Sequence, residues 1–417
     1  MEWRRLLLFV VLTLGVAAPG AVWGVDDFGF LVVNPPLEPG SVLVFPKFLT
    51  GTVNSGDGTQ LPRSAFEISV VCPPGTDVSL PVCTNPPLTA GAGKPATVYL
   101  RAKWVCPPAT SNPADTFCAE KDFTLTTTVN GTLWINPENI PGTGVPLTGP
   151  DPVVATPLCP QGFFIVWVVN NLTDLTPISF NGLLGDAVLR PTDATHTAAY
   201  NAVAISTTSG TTTGLPVIDS SRDSLAFNGS TGGYRELYTR IFGTVRYDDA
   251  TFGIQTFISL VPLEIFAGTN FTDPNFVHFD FYNENEDLTS ADVSVICYKE
   301  VSLSNDLAIA AQNVGGLKGL VKVTNTSGHP IIGIIETQEL LPTTTFLRGY
   351  AYSLYDDRTT STSGTFAEGD PPAPVVKGLP VLTLPTGGTP TLPTSTPRPG
   401  TTSTLPGLSL PSLPGLH

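Results

Sequence analysis

FFIVWVVNNLTDLTPISFNGLLGDAVL (Phe163 to Leu189) decides the fold, because its apolar residues come in short runs closed by turn formers. Phe163 to Val169 is β-branched and aromatic, too short for a core helix, and stops at Asn170-Asn171. A run of that length and composition reads as a buried strand. A second stretch, LKGLVKVTNTSGHPIIGIIETQEL (Leu317 to Leu340), repeats the order of strand, Asn, Thr, short loop, Pro-Ile and strand. Each is followed by a tyrosine-containing strand, AAYNAVAI (Ala198 to Ile205) or FLRGYAYSL (Phe346 to Leu354). The echo points to a duplicated unit.

Working outward, runs of the same kind recur every ten to twenty residues. Examples are SVLVFPKFL from Ser41, TVYLRAKWVC from Thr97, NFVHFDFYN from Asn275 and ADVSVIC from Ala291. In the last, Val293, Val295 and Cys297 alternate with Asp292, Ser294 and Ile296. Only Asp306 to Val314 reads as a short helix. With 41 prolines and 40 glycines in 417 residues, and 13% charged residues, the composition excludes long-helix and coiled-coil proteins. At 41% hydrophobic residues the chain is also too apolar to be wholly disordered. The expected fold class is therefore all-β. It should comprise two tandem β-sandwich domains of immunoglobulin-like type over residues 25–205 and 225–358. Between them, Ser206 to Ser224 reads as a Thr/Ser/Gly linker. The Pro/Thr-rich remainder, 359–417, reads as a disordered tail that cannot bury enough apolar area to offset its ordering.

Arg4-Arg5 followed by the apolar Leu6 to Ala18 has the form of a secretory signal, ending in small residues near Gly24. The expectation is a secreted, extracellular protein that starts at Val25, with no transmembrane segment in the mature chain. The formal charge of −15 becomes −16 once Glu2, Arg4 and Arg5 are removed. Such acidity excludes nucleic acid as a partner, since phosphate contacts need clustered Lys and Arg. An even set of six cysteines, Cys72, Cys83, Cys106, Cys118, Cys159 and Cys297, implies three disulfides in an oxidising compartment. VCPPGT and VCPPAT open two Pro-Pro loops, each closed by a second cysteine. Local pairs Cys72–Cys83 and Cys106–Cys118 are the first option. Cys72–Cys106 with Cys83–Cys118 is the alternative, and either leaves Cys159 for Cys297.

Catalysis finds little support. His196, His278, His329 and His417 are the only histidines, and neither a G-x-S-x-G elbow nor an HExxH helix is present. The chain therefore reads as a non-enzyme without a catalytic residue or a bound organic cofactor. Trp104, Trp134, Trp167, Tyr234 and Tyr238 fit either core packing or a sugar-stacking platform. In DFYNENEDLTS, Asp280, Asn283, Asn285 and Asp287 crowd one turn, and hard cations favour such oxygen ligands. Calcium is the cofactor this turn suggests, against the simpler reading of a solvated acidic hairpin.

The balance of export, acidity, sparse charge, abundant threonine and β pattern resembles bacterial and archaeal surface-layer (S-layer) proteins. The resemblance covers the whole chain but is compositional, and six cysteines with few lysines depart from it. It implies a structural subunit of the cell envelope that self-associates into a layer on the cell surface. The alternative is a secreted adhesin or carbohydrate-binding protein that meets cell-surface glycans from a Pro/Thr-rich stalk.

Overall fold

Strand-forming runs that alternate or stay apolar throughout fold here into antiparallel sheets, with almost no helix among the described residues. The computed structural model describes residues 38–73, 83–85, 94–108, 118–140, 154–190, 197–208, 211–263, 274–340, 347–353 and 355–356, with two short strands at 23–25 and 31–33. Most of the expected signal segment and the whole of the expected tail lie outside the described residues.

The first half supplies nine principal strands. They are β1 (Val42–Leu49), β2 (Ser64–Val70), β3 (Thr97–Cys106), β4 (Ala119–Thr128), β5 (Thr132–Ile135), β6 (Gln161–Val169), β7 (Leu183–Leu189), β8 (Ala198–Asn201) and β9 (Val203–Ile205). The second half supplies nine more: β10 (Arg240–Arg246), β11 (Ile254–Pro262), β12 (Asn275–Asn283), β13 (Leu288–Val295), β14 (Lys299–Ser302), β15 (Lys318–Asn325), β16 (Ile331–Leu340), β17 (Leu347–Ser353) and β18 (Tyr355–Asp356).

In the first half the sheets run β4-β3-β6-β1-β9 and β5-β2-β7-β8; in the second they run β13-β12-β15-β10-β18 and β14-β11-β16-β17. Adding nine to every label of the first half gives the second. The two halves thus share one strand order in both sheets. The echo read from the sequence falls on equivalent strands, β6 with β15, β7 with β16 and β8 with β17. The order departs from the immunoglobulin one, where the first two strands pair within one sheet. Here β1 and β2 lie in different sheets, as do β10 and β11.

Three apolar layers separate the four principal sheets. The first lies between the two sheets of the first half and includes Phe45, Phe66, Trp104, Phe164 and Leu183. Its aromatic centre brings Trp104 and Phe164 within 4.3 Å of one another, ring to ring. The second lies between the sheets of the second half, around Ile258, Phe279, Phe281 and Val321. The third joins the halves. Val42, Val44, Phe163, Ile165 and Trp167 point outward from the first five-stranded sheet and meet Val261, Tyr298 and Ile332 of the second four-stranded sheet.

The segment between β9 and β10 completes that third layer. Ser206 to Ser224 holds no strand, as its composition suggested, yet it is not a bare spacer. Val217, Leu225, Phe227, Tyr234 and Leu237 of the wider connection are buried against the first five-stranded sheet. The short helix expected over Asp306 to Val314 is instead two single turns, α1 (Leu303–Asp306) and α2 (Ala311–Val314). Between them Ala308 takes a positive φ of 56°, which stops helical propagation.

Candidate functional site

Lys47 sits in the middle of an apolar strand, VLVFPKFL, and reaches the boundary between the halves because β1 bulges there. Phe48 lies opposite Gly162 while Phe45 lies opposite Phe164, so Pro46 and Lys47 together face one residue of β6. The bulge keeps Phe45 and Phe48 both in the core and sends Lys47 outward. Gly162 has to be glycine, since a Cβ would come within 2.1 Å of the Val105 carbonyl oxygen.

Across the boundary, Lys47 Nζ touches Glu336 of β16 and Glu300 of β14. The Lys47 side chain is 3% exposed and that of Glu336 1%. Gln338 Nε2 donates to Glu336 Oε1 at 2.8 Å, and Ser259 Oγ donates to Glu300 Oε2 at 3.4 Å. The Phe257 ring lies 5.9 Å from the ammonium, a cation–π contact. Tyr200 Oη receives the Lys47 N–H at 3.3 Å and donates to the Lys47 carbonyl. Burial acts to lower the Lys47 pKa, but the Glu336 and Glu300 carboxylates outweigh it and hold the ammonium well above its ordinary value. Burial pushes the Tyr200 and Tyr298 hydroxyls up, so both stay neutral hydrogen-bonding groups.

Two further cations lie on the same outward face of the first five-stranded sheet. Arg101 pairs with Asp122 at 2.6 Å and Asp223 at 2.8 Å, and its guanidinium stands 5.5 Å from the Trp167 ring. Lys103 pairs with Glu120 at 2.5 Å. Asp223 belongs to the connection between β9 and β10, so this ion pair holds the connection on the sheet.

The cysteines pair as Cys72–Cys83, Cys106–Cys159 and Cys118–Cys297, with Cα separations of 5.4, 5.7 and 6.3 Å. The first local loop is the one anticipated. The second is not: Cys106 ends β3 beside β6, whose first residue follows Cys159 closely, so the bridge joins neighbouring strands. That frees Cys118, at the start of β4, to cross to Cys297 in the other half. The Cys106–Cys118 and Cys159–Cys297 pairs expected from spacing are therefore corrected, and so is the alternative of Cys72–Cys106 with Cys83–Cys118.

The acidic turn does not converge on one point. Strand alternation turns Asp280 outward, where it meets His278 at 3.1 Å, Ser290 at 3.0 Å and Lys322 at 3.4 Å. Asn283 faces inward and is buried. Its Oδ1 accepts from the Asn285 and Asp287 backbone N–H groups at 2.8 and 2.9 Å, and its Nδ2 donates to the Val314 carbonyl at 2.6 Å and to Asp287 Oδ2 at 3.1 Å. The Asx turn thus spends Asn283 on its own backbone and on α2, and Asp280 lies on the opposite face. Asp280, Asn283, Asn285 and Asp287 do not assemble as one calcium ligand set. Among the described residues no group of three or more His, Cys, Asp and Glu side chains is arranged to hold a metal ion.

Nor do the aromatic residues form a platform. Trp104, Trp167 and Tyr234 are buried in the apolar layers, while Trp134 is half-buried on the outward face of β5 opposite Glu67. His278 is set between carboxylates, with Asp292 at 2.7 Å and Asp280 at 3.1 Å. Its pKa is raised, first by the hydrogen bond to Asp292 and then, against an opposing desolvation, by Asp280. The residue that reading the sequence missed is Lys47, and its signal was there: a lysine after proline inside an apolar run, matched by Glu336 inside IIGIIETQEL.

No protein-family model matches the chain, and no curated protein is similar to it in sequence. No helix among the described residues is long and apolar enough to cross a membrane.

Proposed function

We propose that the protein is a secreted, non-catalytic structural subunit of an extracellular surface layer, built of two β-sandwich modules stacked in one rigid body. The observation that carries this reading is the bracing between the modules. A shared apolar layer, the Lys47 ion cluster and the Cys118–Cys297 bridge all tie the same pair of sheets together. Such bracing suits a part that transmits load and has no need to open around a substrate. Two long edge strands at equivalent positions, β4 and β13, end the five-stranded sheets and offer backbone donors and acceptors to a neighbour.

Electron microscopy of envelope fragments, with mass spectrometry of their dominant protein, tests the proposal. A regular lattice in which this chain is a major component is the expected result. A minor soluble species that binds glycans would instead favour the adhesin reading, in which the modules stand on the Pro/Thr-rich segment.

A further inference from the structure

Lys47, Glu336 and Glu300 make a buried cluster of one amine and two carboxyls, and bracing alone does not require the second carboxyl. We propose that the Lys47 amine and the Glu336 carboxyl condense to an amide, a covalent cross-link between the two halves for which Glu300 moves the protons. This inference stands apart from the surface-layer reading and holds or fails without it.

The cluster brings the reacting groups together in a dry site. Nζ touches Glu336 Oε2, so the carbon it attacks lies no more than one C–O bond beyond that contact. Groups held this way react with effective molarities of roughly 10⁵–10⁸ M, which offsets the unfavourable condensation of an amine with an acid in water. Both carboxyl groups touch Nζ, so the ammonium proton has a direct path to Glu336, and condensation starts from the neutral amine and neutral acid that this transfer produces. Inside an apolar layer the neutral amine and neutral acid also compete with the ion pair far better than they do in solvent.

The polar contacts assign the roles. Gln338 Nε2 donates to Glu336 Oε1, the oxygen that gains negative charge when the carbonyl carbon is attacked. Glu300 touches Nζ from the other side and is 19% exposed, which gives the shuttle and the product water a way out. The step balances. Neutral Nζ forms a bond to Cδ of the Glu336 carboxyl, protonated on Oε2; the tetrahedral intermediate loses a proton from nitrogen to the Glu300 carboxylate. Glu300 then returns a proton to Oε2, the Cδ–Oε2 bond breaks, and one water leaves. Nothing is oxidised or reduced.

Peptide mass spectrometry of the reduced, alkylated full chain is the test. Wild type is expected to give a branched peptide joining Lys47 to Glu336, lighter than its two parts by one water, with no tryptic cut after Lys47. A Lys47→Arg variant keeps the positive charge but should give only linear peptides. Glu300→Gln, which retains the attacked carboxyl, should slow cross-linking by about 100-fold or more. Quantitative recovery of linear peptides from wild type, with normal cleavage after Lys47, overturns the proposal even if no variant folds. A bond from Lys47 to Glu300 instead of Glu336 overturns the assignment of roles.

Discussion

Cutting the Cys118–Cys297 bridge isolates what the covalent tie between the halves contributes. The variant is Cys118→Ser with Cys297→Ala, since Cys297 is fully buried and a serine hydroxyl there would lack a partner. The two cysteines are 179 residues apart. The Cys106–Cys159 bridge shortens the closed path to about 150 residues, the 12 from Cys118 back to Cys106 and the 138 from Cys159 on to Cys297. Closing a loop of that length removes denatured-state entropy equivalent to about 5 kcal/mol. The dependence is logarithmic, so the figure changes little if the denatured chain is partly compact. The principal strands span roughly 320 residues, for which the transition temperature moves about 1–2 °C per kcal/mol, so the variant should melt about 5–10 °C lower. The apolar layer and the Lys47 ion pairs persist, so the far-ultraviolet spectrum at room temperature should match wild type. Scanning calorimetry in oxidising buffer, with thiol titration of the denatured wild type, is the assay. A fall of less than about 3 °C, or a titratable thiol in wild type, would refute the bridge as the main tie.

Asn283→Ala should destabilise by about 2–3 kcal/mol, because it strands two backbone N–H groups and the Val314 carbonyl; a denaturant midpoint equal to wild type refutes that role. The raised pKa of His278 makes its contribution fully present below the unfolded value of 6.5 and lost as pH rises through the folded value. At 35% exposure solvent screening keeps that contribution under about 1 kcal/mol. A proton-resonance titration should place His278 above 6.5, and a midpoint at or below it rejects the pairing with Asp292 and Asp280. Asp186 stands directly opposite Glu67 across β7 and β2, and burial followed by the Glu67 charge raises its pKa. A raised acid costs stability above its unfolded pKa, so Asp186→Asn should stabilise by about 0.2–1 kcal/mol at neutral pH and by nothing in acid; equal stability of the two at neutral pH counts against the like-charge reading.

The strands were legible because each is a short apolar or alternating run bounded by turn residues, and that pattern follows from local geometry. So was the duplication, since Asn-Thr and Pro-Ile recur at the same points between β6 and β7 and between β15 and β16. Pairings set by tertiary packing were not legible. Cys118 stands beside Cys106 at the end of the β3–β4 pair, but β6 flanks β3 on its other side and delivers Cys159 to Cys106. The connection after β9 reads as a spacer because its apolar residues, Val217, Leu225, Phe227, Tyr234 and Leu237, are scattered without period. They dock on a flat sheet face, which demands no periodicity from the segment that covers it. The acidic turn read as a ligand cluster because spacing alone ignores strand alternation, which sends Asp280 and Asn283 to opposite faces.

Equivalent faces of the two halves differ in polarity. On the first five-stranded sheet the outward residues of β1 and β6 include Val42, Val44, Phe163, Ile165 and Trp167, all buried against the second half. At the corresponding positions of β10 and β15 stand Arg240, Thr244, Lys318, Lys322 and Thr324, with Phe242 and Leu320 between them. The four-stranded sheets differ in the same sense. Val261, Ile332 and Ile334 point into the stack from β11 and β16, whereas Glu67, Ser69 and Asp186 point out of it from β2 and β7. A duplicated unit would present the same two faces at both ends and continue stacking. The larger share of charged and hydroxyl side chains on the two outer faces weakens the hydrophobic drive for stacking there, as polar caps do at the ends of repeat proteins. The layer proposed above would then grow through its edges, and β4 and β13, equivalent in the two halves, are long edge strands suited to carry it.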